Sequence, residues 1–209
     1  MHELYMHHML SGQQAVSENQ YKKLSNKTER QTDQDGLQEG GYVLYARHAE
    51  ATVGQDQQQM VFQDCETQRN LSDEGRRQAE TYGETLRALD IPINYPVITS
   101  PFCRNIDTAS LAFGDENYEV NPFLFDLYLL SYNPSPQEQQ RILNTFRSML
   151  ETPPPEGTNT LIIGHSFPPG VAFGPIPDMG TVMVKPHGQG QGFDVVANIS
   201  FENLTNMLG

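Results

Sequence analysis

The sequence has few basic residues and no long apolar run, and each shortage excludes a class of protein. Lysine and arginine number 13 against 26 aspartates and glutamates, a formal net charge of -13. A nucleic-acid-binding protein needs a basic footprint for the phosphate backbone, so this balance argues against one, and equally against an anionic membrane surface as partner. No apolar run approaches the about 20 residues of a membrane-spanning helix, so we expect no membrane span.

Cysteine is also scarce, with Cys65 and Cys103 as the only two. Two cysteines make neither a disulfide scaffold nor a four-ligand zinc site. One bridge between them is possible, but the sequence cannot show that their geometry permits it. Because no acid–base partner is visible for Cys103, we interpret it as a small packed residue.

Residues 1–40 have the composition of a flexible polar tail, since their apolar residues follow neither a helical nor a strand period. The segment lacks the apolar core of a signal peptide, so we predict a cytoplasmic protein. Nothing would orient His2, His7 and His8 in such a tail, so we do not interpret them as metal ligands. The predicted organisation is this tail followed by one domain over residues 41–209.

After the tail, apolar runs that favour strands alternate with segments of helical period. The runs predict strands at 42–46, 97–99, 160–163, 181–185 and 193–201. A glycine-rich stretch at 188–192 predicts a hairpin connection between the last two, and the polar stretch 54–69 predicts a surface loop. This alternation predicts an α/β fold, a three-layer αβα sandwich with a mostly parallel central sheet.

Three serines mark predicted helix starts. Ser72 precedes an amphipathic helix over 73–89, and Ser135 opens a Ser-x-x-Glu capping box. Ser100, followed by a proline, offers an N-cap with proline at the first helical position.

Arginine and histidine follow three of the predicted strands. Arg47 and His48 end the first, Arg104 comes one turn after the second, and His165 ends the third. Ligands of such folds sit beyond the carboxyl ends of the strands, so we expect these four side chains to converge. Arginine suits phosphate oxygens, and histidine can act as nucleophile or donor near neutral pH. The pattern therefore predicts an anion site in an acidic protein.

The motifs around these residues resemble those of a known family. Arg47-His48-Ala49-Glu50 looks like the Arg-His-Gly-Glu signature of the histidine phosphatase superfamily, in its phosphoglycerate mutase-like branch 1. Residues 70–79 are similar to its Leu-(Ser/Thr)-x-x-Gly-x-x-Gln-Ala helix opening, and residues 100–109 to its Ser-(Ser/Pro)-x-x-Arg-x-x-x-Thr-Ala segment. Gly164-His165 matches its second histidine. The motifs lie in the family's order and span about residues 41–201.

The resemblance implies a metal-independent phosphomonoesterase that needs no cofactor. His48 would attack phosphorus and carry a phosphohistidine, while Arg47 and Arg104 neutralise the phosphoryl oxygens. His165 would donate a hydrogen bond to the same group. The substrate would be a small-molecule or macromolecular phosphate ester that the sequence does not identify, and the oligomeric state is not predicted.

The leaving group needs a proton, and the family's order implies a carboxyl after the second arginine. Asp126, flanked by apolar residues, fits that place, and Glu119 is the rival candidate. Two departures also matter. Ala49 replaces the usual glycine, and Gly54 stands where relatives often have a phosphate-binding asparagine.

Because of Gly54, we expect a phosphate donor from Thr52 or from the backbone after His165, at Ser166 and Phe167, instead. The same two departures favour an alternative function, a phospho-ligand binding module of the same fold that lacks turnover. A phosphomutase is the third reading, disfavoured because the chain is short of the inserts that mutases use.

Overall fold

The computed structural model describes residues 31–209, which build a six-stranded sheet. Its strands are β1 Val43–Arg47, β2 Ile93–Thr99, β3 Tyr118–Val120, β4 Asn159–Gly164, β5 Thr181–Pro186 and β6 Phe193–Ile199. Their order across the sheet is β3-β2-β4-β1-β5-β6. The first four neighbours pair in parallel, whereas β5 pairs antiparallel with both β1 and β6. The predicted mostly parallel sheet is confirmed, and β5 and β6 form the predicted hairpin.

Helices cover the sheet. They are α1 (residues 31–39), α2 Asp73–Ala88, α3 Cys103–Phe113, α4 Leu124–Leu129, α5 Pro136–Glu151 and α6 Phe201–Thr205. The strand predicted at 193–201 ends early, because the Ser200 side chain accepts from the Asn203 N–H and caps α6. None of the helices in the described part of the chain combines the length and apolarity needed to cross a bilayer.

The alternating residues of the strands divide the core into two clusters, one on each sheet face. In β1, Leu44 and Ala46 join a cluster with residues of α1, α2, α3 and α6. Val43 and Tyr45, one position away on the same strand, join a second cluster with residues of α4 and α5. All four β1 residues are fully buried. The predicted three-layer αβα arrangement therefore follows from a strand that is apolar on both faces.

The predicted tail boundary at residue 40 is wrong, because α1 packs on the domain. Leu37 is 1% exposed and belongs to the first core cluster. Its carbonyl accepts from Nδ2 of Asn159, and Nε2 of Gln38 donates to the carbonyl of Leu89. A single buried leucine in a polar segment gives no periodic signal, so the sequence did not reveal this helix. The predicted tail histidines lie outside the described residues.

Two of the predicted helix starts are confirmed. The hydroxyl oxygen of Ser72 accepts from the N–H of Gly75, and that of Ser135 accepts from the N–H of Glu138. Each bond satisfies one of the backbone donors that a helix start leaves unpaired. These starts are predictable because the cap and the donor it satisfies lie three residues apart.

The third predicted start is wrong. The helix begins at Cys103, and Phe102 at its N-cap forms no side-chain capping bond. The fully buried Ser100 instead places Oγ 2.8 Å from Nε2 of His165. A buried imidazole needs a hydrogen-bond partner, and the serine serves that need rather than the helix.

A disulfide joins Cys65 to Cys103 across 38 positions of sequence. The bridge that the sequence left open is therefore present, and Cys103 is both packed, at 4% exposed, and disulfide-bonded. A loop of this length contributes about 4 kcal/mol in the chain-entropy account of disulfide stabilisation. The bond ties α3 to residues 53–70, which we call the clasp loop.

The clasp loop closes on itself where it leaves and rejoins the domain. Val53 and Asn70 exchange backbone hydrogen bonds of 3.2 and 2.7 Å. Inside the loop, the amide of Gln68, which is 1% exposed, donates to the carbonyls of Val61 and Phe62. The sequence predicted this stretch as a plain surface loop, whereas the structure gives it an ordered interior and a covalent tie to a core helix.

Candidate active site

The ends of the two central parallel strands bring the first and third predicted motifs together. Arg47 pairs in register with Gly164, and the N–H of His48 donates to the Gly164 carbonyl at 3.1 Å. His48 and His165 therefore leave the same edge of the sheet, with ring centroids 5.7 Å apart. Both imidazoles are almost fully buried.

The hydrogen bonding of His48 defines which ring nitrogen is free. Nδ1 lies 2.7 Å from the Ala49 carbonyl oxygen, which can only accept, so Nδ1 carries the proton. Nε2 is then the nitrogen with the lone pair. Burial lowers the pKa of His48 well below its usual range, and the nearby His165 and Arg104 lower it further. The ring is therefore neutral near pH 7, as a nucleophile must be.

His165 is held through both its ring and its backbone. Nε2 of the ring pairs with the Ser100 hydroxyl, and the Tyr45 hydroxyl bonds to both the N–H and the carbonyl of His165 at 2.9 Å. A Cβ on the preceding Gly164 would lie 2.2 Å from that tyrosine oxygen, so only glycine fits before this histidine. Burial lowers the pKa of His165 well below its usual range, and Arg104 and Arg69 lower it further.

Arg104, fully buried, is clamped along one edge of its guanidinium. Nη1 and Nη2 donate to the two carboxylate oxygens of Asp56 at 2.8 and 3.2 Å, and Nη1 also donates to the Arg69 carbonyl. Nε is buried and has no hydrogen-bond partner. Asp56 and the Arg69 carbonyl therefore bind the terminal nitrogens Nη1 and Nη2 of the guanidinium. The Nε–H remains able to donate to another acceptor.

Arg47, the last residue of β1, shows a similar arrangement. Nη1 donates to the Ile176 carbonyl at 2.9 Å, and Nη2 lies 3.0 Å from the Asp178 carboxylate. Its Nε is also buried without a hydrogen-bond partner. An unpaired buried donor is costly, so two such donors beside two neutral histidines indicate a site shaped for an anion.

Asp56 is a residue that the sequence-based prediction missed. Both of its oxygens are committed, because it also accepts from the N–H of Arg69 at 2.9 Å and from the Tyr128 hydroxyl at 3.1 Å. Burial raises its pKa, but the hydrogen bonds from Arg69 and Arg104 outweigh that effect and keep the pKa below the usual range. Asp56 is therefore ionised and acts on Arg104. No local pattern could reveal it, since its partner lies 48 positions away.

The two predicted proton donors, Asp126 and Glu119, form no hydrogen bond or ion pair with Arg47, His48, Arg104 or His165 in the described residues. Asp126 lies in the first turn of α4, and its carboxylate forms an ion pair of 2.7 Å with Arg141 of α5. Glu119 is exposed on β3, an edge strand of the sheet. The apolar neighbours of Asp126 in sequence do pack inward, whereas the carboxylate itself faces the neighbouring helix.

The groups predicted as extra phosphate donors lie on two loops, where the N–H of Phe167 donates to the Gly174 carbonyl at 3.2 Å. Thr52 is exposed on the turn after β1. The Ser166 hydroxyl accepts from the Ile176 N–H at 2.8 Å, and the Ile176 carbonyl accepts from Arg47. Ser166 therefore stabilises the loop that clamps Arg47.

The turn that follows His48 is packed against α2 and α3. Ala49 is fully buried, and its N–H donates to Oγ1 of Thr108, so the core accommodates alanine at this position. The Glu50 carboxylate accepts from the Ser72 hydroxyl at 2.6 Å. A Cβ at Gly75 would lie 2.0 Å from the Glu50 carbonyl oxygen, so this glycine allows α2 to approach the turn. Gly54, the other departure, has a φ of 72°, a conformation that favours glycine.

Comparison with known proteins places this arrangement in context. Residues 43–158 match the family model of the histidine phosphatase superfamily (branch 1). No curated protein sequence matches the chain. Among solved structures, the chain is similar to a phosphoserine phosphatase variant from Entamoeba histolytica in complex with phosphoserine, with 12% identity, a TM-score of 0.48, and coverage of 78% of this chain and 98% of that one. A mycobacterial glucosyl-3-phosphoglycerate phosphatase has 15% identity and a TM-score of 0.48, with 75% and 98% covered.

Proposed function

Because the chain belongs to branch 1 of the histidine phosphatase superfamily, we propose that it is a phosphomonoesterase with His48 as the nucleophile. One observation carries the proposal. Arg47 and Arg104 are each clamped by the protein on one side and each keep a buried, unpaired Nε beside a neutral histidine. A phosphoryl group supplies the acceptors that these donors lack.

In the proposed reaction, Nε2 of His48 attacks phosphorus in line and the ester oxygen leaves. The two guanidinium groups neutralise the equatorial oxygens, where the transition state carries its charge, so the reaction needs no metal ion. The Ser100 hydroxyl lies 2.8 Å from Nε2 of His165. In the tautomer that the proposed reaction requires, the serine donates to Nε2 and Nδ1–H donates to the same phosphoryl group. Water then hydrolyses the phosphohistidine and restores His48.

The proposal assigns the nucleophile and the anion-binding groups, and it does not include a proton donor. Asp126 is committed to Arg141, and Glu119 is exposed on the sheet edge. Asp56 is ionised and has both oxygens engaged, so it is a poor acid in the described arrangement. The identity of the ester is left to a substrate screen.

The first test is hydrolysis of p-nitrophenyl phosphate in the presence of EDTA. We expect release of inorganic phosphate at the same rate with EDTA and with added Mg²⁺, and inhibition by vanadate. A zinc-dependent alkaline phosphatase assayed in parallel verifies that the EDTA removes metal. Loss of activity in EDTA would contradict the metal-independent mechanism. Vanadate binding with no hydrolysis of any ester would favour a phospho-ligand binding module, and transfer of phosphate within a substrate would favour a mutase.

The buried histidines also predict how activity depends on pH. His48 must be neutral to attack, and its pKa lies well below the ordinary value of 6.5. A lowered pKa keeps the neutral form to lower pH, so activity falls only when the pH drops through that lowered value. We therefore expect the acid limb of kcat/KM below pH 6.5. The second ionisation of the substrate, with a pKa of about 6 in phosphate monoesters, is measured separately. The values of kcat/KM are then corrected for the fraction of substrate in each ionisation state. A residual acid limb at or above the ordinary histidine pKa would contradict a buried neutral nucleophile.

A further inference from the structure

The clasp loop contributes two of the groups that orient Arg104. The carboxylate of Asp56 and the carbonyl of Arg69 both belong to this loop, and both accept from the Arg104 guanidinium. Together they engage both terminal nitrogens of the guanidinium, Nη1 and Nη2, whereas the buried Nε has no hydrogen-bond partner. The geometry of the anion site therefore depends on where the clasp loop lies relative to α3.

The disulfide fixes that relation next to Arg104 itself. Cys103 is the first residue of α3 and Arg104 is the second, so the bond from Cys65 joins the loop to the residue that precedes the arginine. The Gln68 side chain adds a second tie, because its oxygen accepts from the Cys103 N–H at 2.9 Å. The phenylalanine rings of residues 62 and 102 pack edge to face, with centroids 5.4 Å apart.

We propose that the Cys65–Cys103 disulfide is a positioning element of the anion site, so that reducing it weakens phosphate binding by Arg104. The inference rests on the proposed anion site and not on turnover. Reduction by dithiothreitol transfers two electrons and two protons to the bond, giving two thiols and the cyclic disulfide of the reagent. Disulfides persist mainly in oxidising compartments, so the bond also weighs against the predicted cytoplasmic location.

The direct test is calorimetric binding of inorganic phosphate to oxidised and to reduced protein. We expect the reduced protein to bind about tenfold more weakly, the order of effect of losing one charged hydrogen bond. Cys65→Ser/Cys103→Ser should match the reduced protein and not respond to dithiothreitol. Since the chain has two cysteines in all, any effect of the reagent that this variant lacks belongs to this bond. In turnover, kcat/KM should fall by at least the same factor, because Arg104 also neutralises charge in the proposed transition state.

A double-mutant cycle separates positioning from general stabilisation. Asp56→Asn should weaken phosphate binding by about tenfold in the oxidised protein, but by less than about twofold in the cysteine-free variant, where the clasp is already loose. If the disulfide merely stabilised the fold, its loss would lower the melting temperature, and its effect on phosphate binding would be independent of that of Asp56→Asn. Independent effects on binding would therefore overturn the proposal.

The remaining outcomes are distinguishable from failure of the proposed function. Equal phosphate affinity of oxidised and reduced protein would overturn the positioning role, whatever the protein's catalytic activity. Redox-dependent phosphate binding without hydrolysis of any ester would support the positioning role and contradict the phosphatase. Absence of phosphate binding by the oxidised protein would overturn the anion site and, with it, both proposals.

Discussion

Replacing His48 with asparagine is expected to lower kcat by about 10⁴-fold or more, the scale of loss seen when a covalent nucleophile is removed. The asparagine amide can still donate to the Ala49 carbonyl, as Nδ1 of the histidine does. It has no nucleophilic nitrogen at the Nε2 position, so chemistry is lost while the fold is retained. His48→Ala should be equally inactive but leaves a buried cavity, so the asparagine variant is the cleaner probe.

The same variant should form no phosphoenzyme. Wild-type protein mixed with a radiolabelled phosphate ester and quenched in base should carry an acid-labile phosphohistidine, and His48→Asn should carry none. His187→Asn is the matched control, because His187 is exposed in the β5–β6 connection and pairs with Asp194. Retained turnover or label in His48→Asn would remove His48 as the nucleophile.

Replacing Arg104 with lysine is expected to lower kcat/KM by about 10²- to 10³-fold, the range for loss of one oriented donor to transition-state charge. Lysine keeps the positive charge beside Asp56, so the buried carboxylate retains a cation. It cannot offer two parallel N–H groups, and it lacks the buried, unpaired Nε–H of the arginine. Inorganic phosphate should bind more weakly as well.

The control for this substitution is Arg77→Lys on α2. Arg77 is 65% exposed and pairs with Glu74 on the same helix. An exposed pair of this kind contributes little to stability, so activity should stay within experimental error of wild type. If Arg104→Lys retained wild-type kcat/KM with an unchanged melting temperature, the arginine would not contact the phosphoryl group.

The two arginines of this site stand out against the acidic composition of the chain. Asp56 and Asp178 each pair with one of the two site arginines, yet both arginines keep an unpaired Nε. In a protein of net charge -13, diffuse electrostatics would repel a phosphate ester. Local geometry therefore has to supply the binding energy, which makes the orientation of each guanidinium decisive.

Much of the fold was predictable from the sequence because its signals are local. Strands such as β1 and β4 are apolar on both faces, which indicates a covered parallel sheet. Ser72 and Ser135 satisfy backbone donors three residues away, so a short pattern identifies both helix starts. The convergence of Arg47, His48 and His165 follows from the same logic, since parallel strands end at one edge.

The groups that orient these side chains depend on contacts far apart in the chain. Ser100 bonds to His165 across 65 positions, and Asp56 clamps Arg104 across 48. Neither contact leaves a periodic pattern or a short motif in the sequence. Local patterns therefore predict a helix cap at Ser100 and an ordinary loop residue at Asp56. Asp126 shows the converse, because its position in sequence suits an acid while its carboxylate turns to Arg141.

Local sequence patterns thus predict five of the six strands, the layers, and the arginine and histidine side chains at the strand ends. The strand β3, the order of the strands, the free nitrogen of His48, the unpaired Nε of each arginine and the Cys65–Cys103 bond emerge from the folded chain. The physical reason is that secondary structure follows from interactions within a few residues. The direction of a buried polar side chain follows instead from the partners that folding brings to it.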